Sequence, residues 1–208
     1  MLKIAVIGAT RGIGSALVEA ALADGHEVTA LARVPGRMTI SHARLNVVAG
    51  DALDPDAIAK VVEGQDVVCV CLGTTRITRA ITLFSRSAEI LSRALEPEQL
   101  LIAVTGLGAG DSKGHCGFFH DHIFLPVVLG RIYADKNRQE SIIRRSLTRW
   151  IIVRPGLLNN GPRTGHYRAL TDLKGVHGGR ISRADVADFM LAQAKAPRFI
   201  GQTPMLIY

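Results

Sequence analysis

The sequence predicts a doubly wound α/β domain, in which helices cover both faces of a mainly parallel sheet. Short aliphatic strands alternate with helical segments along most of the 208 residues, and a glycine-rich turn joins the first strand to the first helix. Strands that alternate with helices form right-handed crossovers and therefore parallel sheets. We find no internal repeat, low-complexity tract or linker. We therefore expect one domain over residues 1–208, with a small substrate-site cap from about residue 156 to 208.

The first half of the chain supplies most of the predicted alternation. "LKIAVIG" is a short aliphatic strand that ends in glycine, and residues 13–23 place their apolar side chains on one helical face before the stop at Asp24-Gly25. Two further strands and a short helix follow at 27–33, 45–51 and 54–64. "DVVCVCLGT" (66–74) is a buried strand, and Cys69 and Cys71 on one face of it are expected to be core residues.

The second half repeats the pattern less regularly. Residues 78–95 carry apolar side chains at spacings of three and four, as a strong amphipathic helix does. A strand at 100–106, a helix at roughly 131–147, a strand at 149–155, a helix near 183–194 and a closing strand at 204–208 complete the prediction. Ligands of such sheets bind beyond the carboxyl ends of the strands. The residues that follow each strand are therefore the candidate site residues.

Composition excludes several classes of protein. The chain is 48% hydrophobic and 21% charged, which is typical of a globular domain, and no apolar run approaches the length of a membrane span. Three cysteines without a recognisable export signal predict free thiols in a reducing, cytoplasmic location. The net charge of +7 favours an anionic ligand, but the basic residues are too scattered for a nucleic-acid site. The oligomeric state, monomer or homodimer, stays open.

The turn "GATRGIG" (8–14) is the first candidate binding site. Its glycines, Gly8, Gly12 and Gly14, follow the spacing G-x-x-x-G-x-G between a clear strand and a clear helix. Such a turn lets a pyrophosphate approach the backbone, and the N–H groups at the helix start favour its negative charge. Thr10 and Ile13 belong to the same turn and are included among the candidate cofactor-binding residues.

Arginines at the end of the second strand predict the cofactor. Proteins that bind NAD usually place an acidic residue there, to hold the ribose 2′-hydroxyl. This chain reads "ALARVPGR", with Arg33 and Arg37 and no carboxylate, and Arg11 in the glycine turn can reach the same place. An arginine grips a 2′-phosphate, which an acid would repel. We therefore expect NADP(H), and NAD(H) less; the alternative is that Arg33 is a solvated loop residue.

Six segments together carry a family resemblance. They resemble the atypical short-chain dehydrogenase/reductases with NAD(P)H-binding domains, above all the NmrA-like proteins and the biliverdin-IXβ/flavin reductases, and imply a Rossmann-type fold. The segments are "GATRGIG", "GDALD", "VVCVCLGT", "AVTGLGAG", "ADKNRQESIIRRS" and "IIVRPGLLNNGP".

The resemblance implies further cofactor contacts. It places Asp51 against the adenine, and Leu72 and Gly73 along the cofactor groove. Ala52, next to Asp51, is included among the candidate cofactor-binding residues. At the nicotinamide end it places Thr105 and Gly106 beside the ring, and "RPG" with Pro155 and Gly156 around it. Thr105 takes the place where the biliverdin/flavin reductases carry a serine, and is a candidate catalytic residue.

Lys136 is a candidate by position as well. By helical arithmetic it lies about 40° from Ile132, between Ile143 and Leu147, so we expect a lysine within an apolar stripe. A lysine there is costly unless it meets an anion or a hydrogen-bond acceptor. The resemblance implies that it bonds the nicotinamide ribose hydroxyls. The alternative is that its stem packs while its head reaches water.

Tyr133 is the third candidate catalytic residue. Many short-chain dehydrogenases use Tyr-x-x-x-Lys, but the spacing here is Tyr-x-x-Lys. The two residues remain neighbours at i, i+3, although the tyrosine points about 100° away from the usual direction. A reductase of an easily reduced acceptor needs no such acid, because water supplies the proton.

"GHCGFFHDH" (114–122) contains metal-ligand residue types: His115, Cys116, His120, Asp121 and His122. Their spacing fits no familiar zinc pattern. We expect a loop over the active site, with Phe118 and Phe119 lining the pocket, and no metal.

These observations favour an NADPH-dependent reductase that transfers hydride to a planar small-molecule acceptor, such as a flavin or a quinone. The first alternative is an NmrA-like, NADP-binding redox sensor or regulator without turnover. A nucleotide-sugar epimerase or dehydratase comes third, because only about 50 residues follow "RPG".

Overall fold

Strands and helices alternate in the order that the sequence predicts, and they form a doubly wound, mainly parallel sheet. The computed structural model describes residues 1–74, 81–115 and 129–208. The first six strands are β1 (Lys3–Ile7), β2 (Glu27–Ala32), β3 (Leu45–Ala49), β4 (Val67–Val70), β5 (Leu100–Val104) and β6 (Trp150–Pro155). The helices between them are α1 (Gly12–Ala23), α2 (Pro55–Val62), α3 (Leu83–Ala94) and α4 (Gly130–Ser146).

The rest of the chain adds four short strands and one helix. These are β7 (Leu157–Asn159), β8 (Arg168–Leu170), β9 (Arg180–Ser182), α5 (Arg183–Lys195) and β10 (Met205–Ile207). The main sheet has the order β3-β2-β1-β4-β5-β6-β10-β8, and only β8 runs antiparallel to its neighbour. The segment after residue 156 therefore supplies two strands, β10 and β8, and one helix, α5, to the main layers. The part of the expected cap outside them is the β7–β9 pair and its connecting loops.

Alternation along the strands divides the core into two layers. Ile4 and Val6 of β1 face α1 and α5, whereas Ala5 and Ile7 face α2, α3 and α4. All four side chains are fully buried. Helix α3 begins at Leu83, later than the predicted residue 78, and residues 78–80 lie outside the described residues.

Helices α1 and α5 run side by side in the same direction. At their carboxyl ends, Lys195 Nζ donates a hydrogen bond of 2.7 Å to Asp24 Oδ2. At their amino ends, a Cβ atom at Gly12 would lie 3.7 Å from Cδ of Arg183. The start of α5 therefore lies beside the glycine turn.

The loop before β8 is tied to α5 by a buried carboxylate. Asp185, which is fully buried, accepts hydrogen bonds from the backbone N–H groups of Thr164 and Gly165 at 2.8 and 2.9 Å. It also accepts from the hydroxyls of Ser182 and Tyr208 at 3.1 and 2.8 Å. These bonds hold the loop and the closing strand against the same helix.

Candidate functional site

The glycine turn combines close packing with an open helix end. A Cβ atom added to Gly8 would lie 2.6 Å from Cys71 O, and one added to Gly14 would lie 2.1 Å from Gly8 O. Both glycines therefore allow backbone segments to touch. Gly12 is exposed and has a φ of +65°, a conformation that favours glycine. These packing demands place the first turn of α1 directly behind β1.

The first turn of α1 has no side-chain cap and no acidic residue, and its N-cap residue is Arg11. Uncapped N–H groups at a helix start attract anions. Thr10 and Arg11 are exposed beside them, whereas the side chain of Ile13 is 8% exposed and belongs to the core. Ile13 therefore offers an incoming phosphate its backbone only. The uncapped N–H groups and the exposed basic residue at the start of α1 therefore fit a pyrophosphate.

A pocket of about 360 Å³ lies beyond the end of β2, and Thr10, Arg33, Val34 and Arg37 line it. Residues Pro35–Arg37 form a single 3₁₀ turn that brings Arg37 back beside Arg33. Within the described parts of the chain, neither arginine has a hydrogen-bond or ion-pair partner for its side chain, and no carboxylate lines this pocket. Two unneutralised guanidinium groups therefore lie beside the glycine turn, as the sequence predicts.

Two other candidate pairs follow β3 and β4. Asp51 Oδ1 accepts a hydrogen bond of 2.9 Å from Leu53 N, which fixes the turn into α2. Ala52 is 6% exposed and packs in the core, so its side chain offers a cofactor almost no surface. Leu72 is partly buried against the cluster of Ile81, Phe84 and Ile132, and Gly73 is exposed with open space around it. The groove in which the cofactor is expected is therefore open at Gly73, whereas the side chain of Ala52 is not accessible from it.

Lys136 lies in a cage formed by three elements. Its Nζ donates a hydrogen bond to the carbonyl oxygen of Thr105, just after β5. The same atom lies 5.5 Å from the ring centroid of Phe84 on α3 and 5.6 Å from that of Tyr133 on α4. Burial lowers the pKa of Lys136 to about 8, although the nearby Glu140 carboxylate raises it in part. The ammonium therefore has a hydrogen-bond acceptor within the protein, while the residue as a whole is only partly buried.

The apolar stripe expected around Lys136 is wrong. The buried face of α4 between Ile132 and Ile143 carries Asp135, Gln139 and Glu140. Both carboxylates, Asp135 and Glu140, have partners that come from distant parts of the sequence. Asp135 accepts from the N–H groups of Phe84 and Ser85 at 2.8 and 3.4 Å, and so caps α3. Buried polar groups are tolerated where they are paired, as both carboxylates are, whereas Gln139 Oε1 has no hydrogen-bond partner among the described residues.

Tyr133 lies beside Lys136, as their spacing predicts. Its hydroxyl donates a hydrogen bond of 2.9 Å to the carbonyl oxygen of Leu107. A Cβ atom at Gly106 would lie 3.0 Å from this hydroxyl and 3.6 Å from Lys136 Nζ, so a glycine there lets both side chains approach the loop. The segment after β5 is therefore fixed by backbone contacts to α4.

Thr105 turns its hydroxyl away from Lys136. The side chain is buried, and Oγ1 donates a hydrogen bond of 2.8 Å to Glu140 Oε1. Glu140 also accepts from Nε and Nη2 of Arg154 at 3.0 and 2.6 Å, and Arg154 Nη1 pairs with Asp111. Thr105 therefore contributes its carbonyl oxygen, the acceptor for Lys136, while its hydroxyl belongs to a buried ionic network.

The segment "RPG" has a packing role as well. Arg154 is 1% exposed within the same network, and Pro155 is buried. A Cβ atom at Gly156 would lie 2.5 Å from Gly179 O, so this glycine lets the loop before β9 approach β6. Residues 154–156 thus fix the wall of the site that lies beyond β6.

Comparison with known proteins shows the family. The sequence profile of the NAD(P)H-binding family matches residues 8–197. The chain belongs to this family. The resemblance that the motifs carry is therefore confirmed at the level of NAD(P)H binding, and a nicotinamide cofactor is expected at the glycine turn.

Solved structures of similar proteins include two reductases. An anaerobilin reductase, ChuY, from Escherichia coli O157:H7 has a TM-score of 0.82 and 25% identity, over 99% of this chain and 96% of that one. A Streptococcus pneumoniae TIGR4 protein named as an NADH-flavin reductase has a TM-score of 0.79 and 24% identity, over 100% and 99%. The oxidoreductase ylbE from Lactococcus lactis has a TM-score of 0.83 and 20% identity, over 99% and 90%. The match to the NAD(P)H-binding family and the likeness to the anaerobilin reductase support an oxidoreductase.

The histidine-rich segment is only partly described. His115 Nδ1 lies 2.9 Å from Val176 O, and this hydrogen bond joins the loop after β5 to the loop before β9. Cys116, Phe118, Phe119, His120, Asp121 and His122 lie outside the described residues. Within residues 1–74, 81–115 and 129–208, no cluster of metal-ligand residues occurs. In the same ranges no helix is long and apolar enough to cross a bilayer.

Sequence reasoning missed three residues near the site. Glu140 lies one helical turn after Lys136, so its spacing could have indicated a pair. Asp135 and Arg183 gave no such indication, because their partners, Phe84 and Gly12, are distant in sequence.

Proposed function

We propose that the protein is an NADPH-dependent reductase that transfers hydride to a planar small-molecule acceptor, such as a flavin, a quinone or a bilin. The observation that carries the choice of NADPH is the pair Arg33 and Arg37, which line one pocket without a carboxylate. The acceptor class is supported by the names of the reductase neighbours and by the absence of an obvious proton donor among the described candidates.

Each end of the cofactor has residues suited to it. The uncapped N–H groups of α1 and the exposed Gly12 bind the pyrophosphate. Arg33 and Arg37 bind the 2′-phosphate through charged hydrogen bonds, which contribute roughly 1.5–3 kcal/mol each. Arg11, exposed at the helix start, adds positive charge between the two sites.

Lys136 orients the other end of the cofactor. An ammonium has three N–H donors, and one of them bonds Thr105 O. The remaining donors bind the nicotinamide ribose hydroxyls, while Thr105 and Glu140 keep the segment after β5 in place. The cofactor, when bound, supplies the hydride. The Tyr133 hydroxyl bonds Leu107 O, so water supplies the accompanying proton to the acceptor.

The second candidate is a redox sensor that binds NADP(H) without turnover. One observation favours it: the hydroxyls of Tyr133 and Thr105 are both engaged in internal hydrogen bonds. A sensor and a reductase share the same binding contacts, so only turnover separates them. NADPH oxidation in the presence of flavins, quinones, bilins and aldehydes distinguishes the two candidates.

Titration calorimetry tests the choice of cofactor. We expect NADP⁺ to bind at least tenfold more tightly than NAD⁺, and Arg33→Asp to reverse that preference. Arg149→Asp is the matched control, because Arg149 is exposed just before β6, at the opposite edge of the sheet, and the substitution changes the net charge equally. Equal affinities of the wild-type protein for the two cofactors would overturn the proposal of NADPH.

A further inference from the structure

We infer that Arg183 is a phosphate-binding residue that holds the cofactor's pyrophosphate from the α5 side of the glycine turn. The inference rests on the proposed cofactor site and adds to it a residue outside the glycine motif. A Cβ atom at Gly12 would lie 3.7 Å from Cδ and 3.8 Å from Nε of Arg183. The guanidinium group therefore lies directly against the exposed glycine at the start of α1.

The fold holds Arg183 in this position from two sides. It is the first residue of α5, whose N-cap Ser182 accepts a hydrogen bond of 2.9 Å from Asp185 N. The parallel packing of α1 and α5 brings the starts of both helices together. On the far side, Arg183 Nη1 donates a hydrogen bond of 2.7 Å to Asn160 Oδ1. The side chain is thus oriented before any ligand binds.

No carboxylate of the described residues neutralises the charge of Arg183. Its hydrogen-bond partner Asn160 is neutral, and none of the ion pairs within the described residues includes Arg183. The neighbouring carboxylate of Asp185 already accepts hydrogen bonds from Thr164, Gly165 and Tyr208. A guanidinium in this state, beside uncapped helix N–H groups, matches the charge and the fork geometry of a diphosphate.

The two arginine sites make different contributions to binding. Arg33 lies beyond β2 and binds the 2′-phosphate, which only NADP(H) carries. Arg183 lies over Gly12 and binds the pyrophosphate, which both nicotinamide cofactors carry. Loss of Arg183 should therefore weaken NAD⁺ and NADP⁺ equally, and loss of Arg33 should weaken NADP⁺ alone.

Fragments of the cofactor test the inference without any turnover. ADP carries the diphosphate alone, and adenosine 2′-monophosphate carries the 2′-phosphate alone. For Arg183→Gln we expect about a tenfold or greater loss of ADP affinity by calorimetry and a change in 2′-monophosphate affinity below twofold. Arg33→Gln should give the reverse pattern. Arg183→Lys should lose most of the same affinity, because an ammonium lacks the fork.

Arg180→Gln is the matched control, since Arg180 is exposed three residues earlier and the substitution removes the same charge. Equal losses of ADP affinity in Arg180→Gln and Arg183→Gln would overturn the inference, as would an unchanged ADP affinity in a folded Arg183→Gln protein. If wild-type protein binds neither ADP nor NADP⁺, the proposed cofactor site itself fails. Melting temperatures without ligand show that each variant is folded.

Discussion

At the scale of single residues, Lys136 shows how burial changes the chemistry of one group. Its ammonium is surrounded by Phe84, Tyr133 and a backbone carbonyl, and its pKa is lowered to about 8. Near pH 8 the group is therefore divided between its charged and neutral forms. Binding that depends on the ammonium should weaken as the pH rises through this value.

The same pKa shift predicts a pH dependence of stability. Lys136 has a pKa of 10.5 in its ordinary state and about 8 in the folded protein, so the unfolded chain binds more protons between these values. The free energy of unfolding must then rise with pH in that interval, by up to about 3 kcal/mol. Below pH 8 the lysine is charged in both states and the cost of burying its charge is fully present.

Urea unfolding of wild-type protein and Lys136→Met at pH 7, 9 and 10.5 measures this effect. Other groups titrate alike in both proteins, so the difference between their free energies isolates the lysine. We expect wild-type protein to gain stability relative to Lys136→Met as the pH rises. A difference that stays constant from pH 7 to 10.5 would show that the lysine is not perturbed. At pH 7 the variant should be about as stable as wild type or more so, and it should bind NADPH more weakly.

Tyr133→Phe tests whether the tyrosine supplies a proton. Because the hydroxyl bonds Leu107 O, we expect turnover with a flavin or quinone to fall by less than about tenfold, whereas loss of a general acid typically costs 10²–10⁴-fold. Tyr167→Phe is a matched control, since that hydroxyl donates to Asp188 on α5. A hundredfold loss specific to Tyr133→Phe would make the tyrosine the acid and would favour carbonyl substrates.

At the scale of elements, α4 holds the loop after β5 through a buried ionic network. The Glu140 side chain is 4% exposed and the Arg154 side chain 1% exposed, whereas the Asp111 side chain is 73% exposed. Asn137 Oδ1 adds a hydrogen bond of 2.8 Å from Gly110 N. The helix therefore determines the conformation of the segment that carries Thr105 and Gly106.

Comparison of two carboxylate variants tests this network. Glu140→Ala leaves the Arg154 guanidinium buried without its main partner, and we expect it to lower the free energy of unfolding by about 3–5 kcal/mol. Asp111→Ala removes an exposed partner of the same arginine and should cost less than about 1 kcal/mol. Urea unfolding curves of both variants give the comparison. Similar losses in the two variants would mean that the buried pair is not the stabilising one.

The elements also show what the sequence could predict. Aliphatic runs of four to six residues made β1 to β6 visible, and the positions after β1 and β2 located the glycine turn and Arg33. β7, β8 and β9 have three residues each, too few for an alternating pattern to be recognised. The polar face of α4 was missed because the partners of Asp135 and Glu140 are supplied by other elements, which periodicity within one helix does not reveal.

At the scale of the whole molecule, the last strand closes the sheet against β6. The N–H groups of Ile152, Arg154 and Gly156 donate to carbonyl oxygens of residues 202–206 at 2.9–3.1 Å. The three residues of β10 are at most 2% exposed. The closing segment therefore completes both the hydrogen bonding and the burial of a central strand.

A chain shortened after Lys195 should therefore lose its cooperative unfolding transition. Shortening leaves the β6 N–H groups without partners and exposes the buried side chain of Leu107, which clusters with Met205 and Ile207. Circular dichroism during heating measures the transition. A sharp transition within a few degrees of the full chain would show that β10 contributes little to the fold.

The distance across the sheet has a consequence for how such proteins diverge. Three strands, β1, β4 and β5, separate β2 from β6, so the arginine pocket and the wall beyond β6 lie roughly 19 Å apart. That is about twice the distance of about 8 Å over which physiological salt screens surface charges. If residues 33–37 select the cofactor as proposed, exchanging them would change the source of reducing equivalents without altering the electrostatic surroundings of the opposite wall.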